Sequence, residues 1–328
     1  MNTRRCIQHV TCFLLFTAVT IFISKYTMNH TKANFDARIS STRYRRGRLR
    51  GYVYERFPGK DNSILYYTRH PKCGSTTVMS YIATLARQND FSVIRIDNNK
   101  QIGGPADKNS CYVKANECTS FKQYHQIEKK VHKVQRPAVI MRHYGYFDFR
   151  HMNLKQPLMI DILRDPVERA ISYYYYRQQV FRHEDITSMV SIDTCMKATS
   201  YNVYDCHLVS SVASTPYVTW FSPPQLLPDL NRALNIIDKE YEFIGVLEQL
   251  DKSLRILEHL MPRYFHGIEE VMKNTTIWRN LGGLKKQANV TLCRETLRAL
   301  NLALAGDYEI YHFVVQKMFY YAKLFNVK

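Results

Sequence analysis

Short apolar runs alternate along this chain with longer segments whose apolar residues recur at helical spacing. The apolar runs, which predict strands, cover residues 63–69, 92–96, 138–142, 158–163 and 243–247. The helical patterns cover residues 76–87, 121–133, 167–180, 226–239 and 250–260, and most of 292–324. Strands that alternate with helices indicate βαβ crossovers. The sequence therefore predicts an α/β fold, with a central parallel sheet flanked by helices, in one domain over residues 61–328.

The N-terminal part has a different character. Residues 10–23 (VTCFLLFTAVTIFI) carry no charge, and extending the run to residue 26 approaches the roughly 20 residues that a spanning helix needs. No clear cleavage site follows, so we expect an uncleaved transmembrane signal-anchor at 10–26. The basic residues Arg4 and Arg5 favour a cytosolic tail at 1–9. This arrangement predicts a single-pass type II protein with a lumenal domain.

Basic residues are in excess: 46 Lys and Arg stand against 28 Asp and Glu, a net charge of +18. Such an excess indicates a polyanionic partner. Much of it lies in an Arg-rich segment at residues 27–60, which is either a solvated stem or a segment that helps to hold a polyanion. Because the chain is expected to be lumenal, an acidic polysaccharide is the predicted partner and nucleic acid is not.

Cysteines and glycosylation sequons agree with a lumenal domain. Two closely spaced cysteine pairs, Cys111 with Cys118 and Cys195 with Cys206, suit small disulfide loops, although spacing does not fix the connectivity. The spacings typical of zinc ligands are absent from the sequence, so no metal site is predicted. Sequons for N-glycosylation occur at Asn29, Asn274 and Asn289.

The segment RHPKCGSTT at residues 69–77 joins a predicted strand to a predicted helix. Gly74 permits a tight turn, and the hydroxyl residues after it place backbone N–H groups at a helix N-terminus, where an anion is favoured. Lys72 adds a positive charge. This chemistry suits a phosphate, although the segment is not a Walker A loop and an ordinary capped helix start is the alternative.

A second anion-binding element follows the strand at 158–163 and reads RDPVERAISYYYY. Arg164 stands at the carboxyl end of that strand, where open α/β sheets bind ligands. Asp165 suits the N-cap and Pro166 the first position of the next helix. Arg164 and Ser172 could grip a second phosphate. The alternative is a surface charge network beside a Tyr-rich core face.

Together these two elements resemble the donor-binding elements of sulfotransferases that use 3′-phosphoadenosine 5′-phosphosulfate (PAPS). Within that group, the chain resembles the glycosaminoglycan uronosyl 2-O-sulfotransferases, both the uronyl branch and the heparan sulfate branch. Further matches are RHYGYFDF at 142–149, EFIGVLEQLDKSLRILEHLMPRYFHG at 242–267 and YEIYHFVVQKMF at 308–319. The resemblance extends from about residue 65 to 328.

The resemblance implies a P-loop-like sulfotransferase fold, PAPS as donor, 3′,5′-ADP as product and no metal. It implies transfer of sulfate to the 2-hydroxyl of a uronic acid in a glycosaminoglycan, by a homotrimeric enzyme of the Golgi membrane. The donor residues that it implies are Lys72, Cys73, Gly74, Ser75, Thr76 and Thr77 for the 5′-phosphosulfate, Arg164 and Ser172 for the 3′-phosphate, and Arg279 and Lys285 in a loop over the adenosine.

The same resemblance makes His143 the catalytic base and Lys72 a catalytic residue that stabilises the leaving group. A structural role for His143, and His70 as base, are the alternatives from the residues themselves. Arg69 and Arg142 are predicted to contact the acceptor. Arg177 and Arg182, after the Tyr-rich helix, could face uronate carboxylates or be plain solvated charges.

Two other function classes stay open at this point. A kinase-like P-loop phosphotransferase would need the Walker motif that the sequence lacks. A non-catalytic glycosaminoglycan-binding membrane protein would not need Lys72, His143, Arg164 and Ser172 together.

Overall fold

Five parallel strands form the centre of the described part of the chain. This computed structural model describes residues 57, 59–96, 128, 131–181, 189–209, 216–223, 226–274 and 290–328. The strands are β1 (Asp61–Tyr67), β2 (Ser92–Arg95), β3 (Ala138–Met141), β4 (Pro157–Leu163) and β5 (Phe243–Val246). Their order in the sheet is β2-β3-β1-β4-β5, and each neighbouring pair is parallel. The predicted parallel α/β fold is therefore confirmed.

Ten α-helices connect and cover the described strands. They are α1 (Ser75–Gln88), α2 (Pro166–Phe181), α3 (Ile192–Ala198), α4 (Tyr217–Trp220), α5 (Leu230–Glu240), α6 (Leu250–Leu260), α7 (Pro262–Phe265), α8 (Ile268–Asn274), α9 (Arg294–Ala303) and α10 (Ala305–Phe325). The C-terminal helix α10 packs against β5, α4, α5 and α6. The described residues from Phe57 onward form one compact unit.

The central strands explain why their sequences are almost continuously apolar. Every residue of β3, β4 and β5 is buried, as parallel strands covered on both faces require. One charged residue, Asp161, lies inside β4 and is fully buried. An unpaired carboxylate would be costly there, so its hydrogen-bond partners matter for the site described below.

Predicted and observed element bounds differ most at α5. Its apolar pattern predicts a start at residue 226, whereas the helix begins at Leu230. Asp229 is the reason, because its carboxylate accepts a hydrogen bond from the N–H of Arg232 at 2.7 Å and so caps the helix. The short helices α3, α4, α7 and α8 have too few residues to show a clear period, and the sequence did not predict them.

Several predictions concern residues outside the described ranges. These include the anchor at 10–26, nearly all of the stem at 27–60 and most of the helix at 121–133. The site and modification residues among them are Asn29, Cys111, Cys118, Arg182, Arg279, Lys285 and Asn289. Among the helices that the structure does describe, none combines the length and apolar character needed to cross a bilayer.

Candidate active site

Three neighbouring strands bring the predicted site residues to one edge of the sheet. Arg164 directly follows β4, Lys72 lies in the loop after β1, and His143 lies two residues after β3. Because β1 pairs with both β3 and β4 in parallel, the carboxyl ends of all three strands meet at the same edge. This is where open α/β sheets bind ligands.

The loop after β1 ends in a helix start that exposes backbone donors. Lys72 has a φ of 65° and Gly74 a φ of 73°, so the chain takes two left-handed steps before α1 begins. A Cβ at Gly74 would lie 2.5 Å from Leu247 Cδ1, which is a second reason for glycine here. No described side chain caps α1 at Gly74, and such an uncapped N-terminus favours an anion.

Lys72 lies in an unusually positive and sheltered environment. Its Nζ is 3.9 Å from the centroid of the Tyr176 ring, a cation–π contact. Burial, and then the positive charge of Arg164, lower the pKa of Lys72 to about 8. The positive charge of Arg164 thus acts on Lys72. Two cations at the same sheet edge suit a ligand that carries negative charge.

The second element has the local structure that its sequence predicts. Asp165 accepts a hydrogen bond from the N–H of Glu168 at 3.0 Å and so caps α2, with Pro166 at the first helical position. Arg164 forms an ion pair with Glu168 at 3.0 Å, and its side chain stays partly exposed. Ser172 lies two turns into the same helix and is half-buried.

His143 is held by two contacts with one residue. Its Nδ1 lies 2.6 Å from the backbone oxygen of Arg69, and its Nε2 lies 3.0 Å from Arg69 Nη2. A guanidinium can only donate, so Nε2 accepts and the ring proton is assigned to Nδ1, which donates to the carbonyl. The contacts therefore select the tautomer in which Nε2 carries the lone pair.

A buried carboxylate ties the start of the loop that carries Lys72 to β4. Asp161 accepts hydrogen bonds from Thr68 Oγ1 at 2.5 Å, from the N–H of His70 at 3.0 Å and from Trp220 Nε1 at 3.0 Å. Burial raises the pKa of Asp161 to about 6, although the donors around it act in the opposite direction. These bonds satisfy the carboxylate and fix the backbone from which the loop leaves the sheet.

The remaining described site residues are placed less favourably for contact with a polymer. His70 is fully buried against the rings of Tyr217 and Trp220, with centroids 4.8 and 4.5 Å away. Its burial keeps it from an acceptor sugar, which leaves His143 as the candidate base. Arg69 and Arg142 are also buried, and Arg142 stacks on Tyr144. Arg177 is half-buried on α2.

Two modification predictions fall on described residues. Cys195 and Cys206 form a disulfide, one of the pairs that the spacing suggested. Asn274 is exposed at the end of α8, as a glycan acceptor has to be. Cys73, by contrast, is a buried free thiol, and burial raises its pKa to about 12. Its side chain therefore packs in the interior and is not suited to act as a nucleophile.

The sequence did not single out α4, although this helix contacts all three motifs. Tyr217 reaches Arg164 and Cys73, and Trp220 reaches Asp161. The backbone oxygen of Trp220 also accepts a hydrogen bond from the N–H of Tyr146 at 2.8 Å. A Cβ at Gly145 would lie 2.0 Å from that oxygen, so only glycine fits there. One sequence feature could have pointed to α4. Asp161 is a charged residue inside an apolar strand, so a hydrogen-bond donor from elsewhere in the chain was to be expected, and Trp220 of α4 is one of its donors.

Comparison with known proteins agrees with this geometry. Human uronyl 2-sulfotransferase is 24% identical over 281 residues, which cover 81% of this chain and 65% of that protein. Heparan sulfate 2-O-sulfotransferase 1 of Gallus gallus is 25% identical over 236 residues, which cover 65% of this chain and 59% of that protein. The match thus spans less than two thirds of the length of each of these relatives.

A sequence profile described as the sulfotransferase family matches residues 57–221, half of the chain. That range holds the loop with Lys72, the His143 motif and Arg164 with its helix. By this match over half of its length, which includes both cationic elements at the edge of the parallel sheet, this chain belongs to the sulfotransferase family.

Proposed function

We propose that this chain transfers sulfate from PAPS to the 2-hydroxyl of iduronate or glucuronate in a glycosaminoglycan such as heparan, dermatan or chondroitin sulfate. The observation that carries the proposal is the orientation of His143. His143 follows β3 at the sheet edge that also presents Lys72 and Arg164, and its Nδ1 lies 2.6 Å from the Arg69 carbonyl, which leaves the lone pair on Nε2. The named 2-O-sulfotransferases among the relatives support the choice of acceptor.

The residues at this edge fit a donor with phosphate groups at both ends. Lys72 and the open N–H groups of α1 would hold the 5′-phosphosulfate, and Arg164 with Ser172 would hold the 3′-phosphate. Burial, and then the positive charge of Arg164, lower the pKa of Lys72, and anions bound beside both cations would offset these effects. PAPS supplies the activated sulfuryl group, and 3′,5′-ADP is the product left after transfer.

His143 would act as the general base. As the acceptor oxygen forms its bond to sulfur, the hydroxyl proton passes to Nε2, and the Nδ1–H bond to the Arg69 carbonyl steadies the imidazolium. Arg69 Nη2 donates to the same lone pair at 3.0 Å, so the acceptor hydroxyl has to displace that contact. Lys72, as an ammonium, would stabilise the charge that develops on the leaving phosphate oxygen.

The cellular setting is part of the same proposal. The disulfide Cys195–Cys206 supports an oxidising compartment, and the exposed Asn274 is open to glycosylation there. We place the catalytic domain in the Golgi lumen, held by a signal-anchor at residues 10–26. Assembly as a homotrimer is proposed from the family resemblance alone.

Sulfate transfer is the test of the proposal. Full-length protein is incubated with labelled PAPS and, separately, with chondroitin, dermatan or desulfated heparan, and the labelled disaccharides are then analysed. We expect label on C2 of the uronic acid. Label at any other position would overturn the assignment to the 2-hydroxyl. Acceptor binding without any incorporation would favour a non-catalytic glycosaminoglycan-binding protein.

The role of His143 has its own test in that assay. A positioned base contributes about 10²- to 10⁴-fold, so we expect His143→Ala to lower kcat by that range while the KM for PAPS changes little. His151→Ala is the matched control, because His151 follows the same strand but its side chain is 61% exposed. Equal activity of the two variants would contradict the assignment of the base.

A further inference from the structure

One buried hydroxyl lies between the two anion-binding elements. Tyr217 Oη donates a hydrogen bond to the backbone oxygen of Arg164 at 2.5 Å and accepts one from the N–H of Arg164 at 3.2 Å. The same oxygen lies 3.8 Å from Cys73 Sγ, in the loop that carries Lys72. A single side chain thus contacts the backbone of one element and a loop side chain of the other.

The backbone and the ring of Tyr217 are also held in place. Its backbone N–H donates to Asp307 Oδ1 at 2.8 Å, and Asp307 Oδ2 lies 3.0 Å from Arg169 Nη2. The guanidinium of Arg169 lies 4.8 Å from the centre of the Tyr217 ring. The ring is fully buried, and its edge-to-face contact with His70 adds a second link to the loop. These contacts fix the position of the Tyr217 hydroxyl.

The Tyr217 hydroxyl also stays protonated at physiological pH. Burial holds the pKa of Tyr217 well above its ordinary value, so the proton that bonds to the Arg164 carbonyl stays in place over the physiological range. The bond to Arg164 is therefore independent of pH.

The two elements need such a restraint. They follow different strands, β1 and β4, and burial, followed by the positive charge of Arg164, lowers the pKa of Lys72. A ligand that carries a phosphate at each end gains from both elements only if their separation already matches its own. Otherwise part of its binding energy is spent on moving one element towards the other.

We propose that Tyr217 is a positioning residue that fixes the separation of the two anion-binding elements, so that a nucleotide phosphorylated at both ends engages both at once. The inference rests on the proposed function, because it takes the donor to be a 3′,5′-bisphosphorylated nucleotide. It makes Tyr217 a determinant of binding that need not touch the ligand.

The test compares ligands that use one element with a ligand that uses both. Dissociation constants for 3′,5′-ADP, 5′-AMP and 3′-AMP are measured by calorimetry on wild-type protein and on Tyr217→Phe. We expect the affinity for 3′,5′-ADP to fall about tenfold, the effect of losing a hydrogen-bonded restraint, while that for each monophosphate changes less than about twofold. A general structural defect would move all three constants by the same factor.

Tyr66→Phe provides the matched control. Tyr66 is equally buried, on β1, and its hydroxyl has no hydrogen-bond partner among the described residues. We expect this variant to bind all three ligands as the wild type does. Thermal unfolding of both variants, followed by circular dichroism, sets a measuring temperature at which each is folded.

The outcomes separate the inference from the proposed function. Wild-type protein that binds no 3′,5′-ADP would refute the proposed function. Wild-type binding of 3′,5′-ADP with no loss in Tyr217→Phe, or with an equal loss for all three ligands, would overturn the positioning role alone. A loss shared by 3′,5′-ADP and 3′-AMP but not 5′-AMP would also overturn it, because Tyr217 would then serve only the Arg164 element.

Discussion

At the scale of single residues, Lys72 shows how position changes the chemistry of a common side chain. A surface lysine is an ammonium at any physiological pH. Lys72 is sheltered by the loop, lies over the Tyr176 ring and faces Arg164, and burial with this like charge lowers its pKa to about 8. Its charge therefore changes within the range in which an enzyme assay is run.

This shift predicts a pH dependence of donor binding. Below pH 8 Lys72 is protonated and attracts a phosphate, and above pH 8 it loses its charge, so the affinity for 3′,5′-ADP should weaken by up to about tenfold per pH unit. Lys72→Arg keeps its charge at all these values. Calorimetry from pH 6.5 to 9.5 should show a steep decline for the wild type and a flatter one for Lys72→Arg. Identical slopes would show that another group titrates.

The protonation state of His143 also depends on its position in the structure. A histidine in a motif is often a structural residue, and its motif alone does not distinguish that role from a base. The contacts of His143 with Arg69 assign its proton to Nδ1 and its lone pair to Nε2. The tautomer needed for proton abstraction is thus set by a residue 74 positions away, which no local pattern specifies.

At the scale of elements, α3 shows how a short helix is stabilised by a crosslink. Its residues Ile192 and Met196 belong to a second, smaller hydrophobic cluster that also includes Leu300 of α9. The helix has only seven residues, too few to be stable alone. The disulfide Cys195–Cys206 closes a loop with a sequence separation of 11 and ties α3 to the segment after it.

Removing this disulfide should lower the free energy of unfolding by about 3 kcal/mol, because the unfolded chain gains that much conformational entropy when a loop of this length is opened. Urea unfolding of Cys195→Ser with Cys206→Ser, compared with the wild type, measures the difference. Cys293→Ser is the control, since Cys293 is a free thiol beside the same helix and should have a small effect. An unchanged urea midpoint in the double variant would contradict the stabilising role.

The helix α4 is the other element whose importance exceeds its length. Its four residues connect the loop that carries Lys72, the segment with His143 and the start of α2, through Tyr217, Trp220 and the Trp220 carbonyl. Each contact spans more than 50 positions in sequence. The helix is therefore specified by its neighbours in space, and its own four residues carry no period that would predict it.

At the scale of the whole molecule, a buried ion pair joins the site to the C-terminal helix. Arg169 of α2 and Asp307 of α10 lie 3.0 Å apart with side chains 1% and 3% exposed. Asp307 also accepts a hydrogen bond from the N–H of Tyr217, so α10 supports α4 and, through it, the loop with Lys72 and the start of α2. The last described helix is in this way part of the scaffold of the candidate site.

Breaking this pair on one side should be strongly destabilising. Asp307→Ala leaves the charge of Arg169 buried without its partner, and we expect a loss of about 3–5 kcal/mol in unfolding free energy. Glu269→Gln is the matched control, because the pair Arg255–Glu269 is 37% and 45% exposed and should contribute about 0–1 kcal/mol. Chemical denaturation of both variants measures the contrast. Equal losses would show that burial of the pair has no special effect.

The fold class was predictable because helices and strands have local periods. Alternating apolar runs and helical patterns indicated the parallel α/β arrangement, and all five predicted strands were found. The local structure of the two elements predicted to bind anions was also predictable, because a glycine turn and a proline at a helix start are local requirements. The bounds of α5 and the short helices were missed, since a cap at Asp229 and packing against distant residues decide them.

Local sequence specified the periodic elements and the chemical types of side chain at each strand end. Packing in three dimensions then set which of those side chains come together. Sheet order places β1 between β3 and β4, and this brings Lys72, His143 and Arg164 to one edge. It also selected the Cys195–Cys206 pairing, the tautomer of His143 and the position of Tyr217. A period depends on neighbours a few residues apart, whereas these contacts join residues separated by 11 to 144 positions and exist only once the whole core has packed.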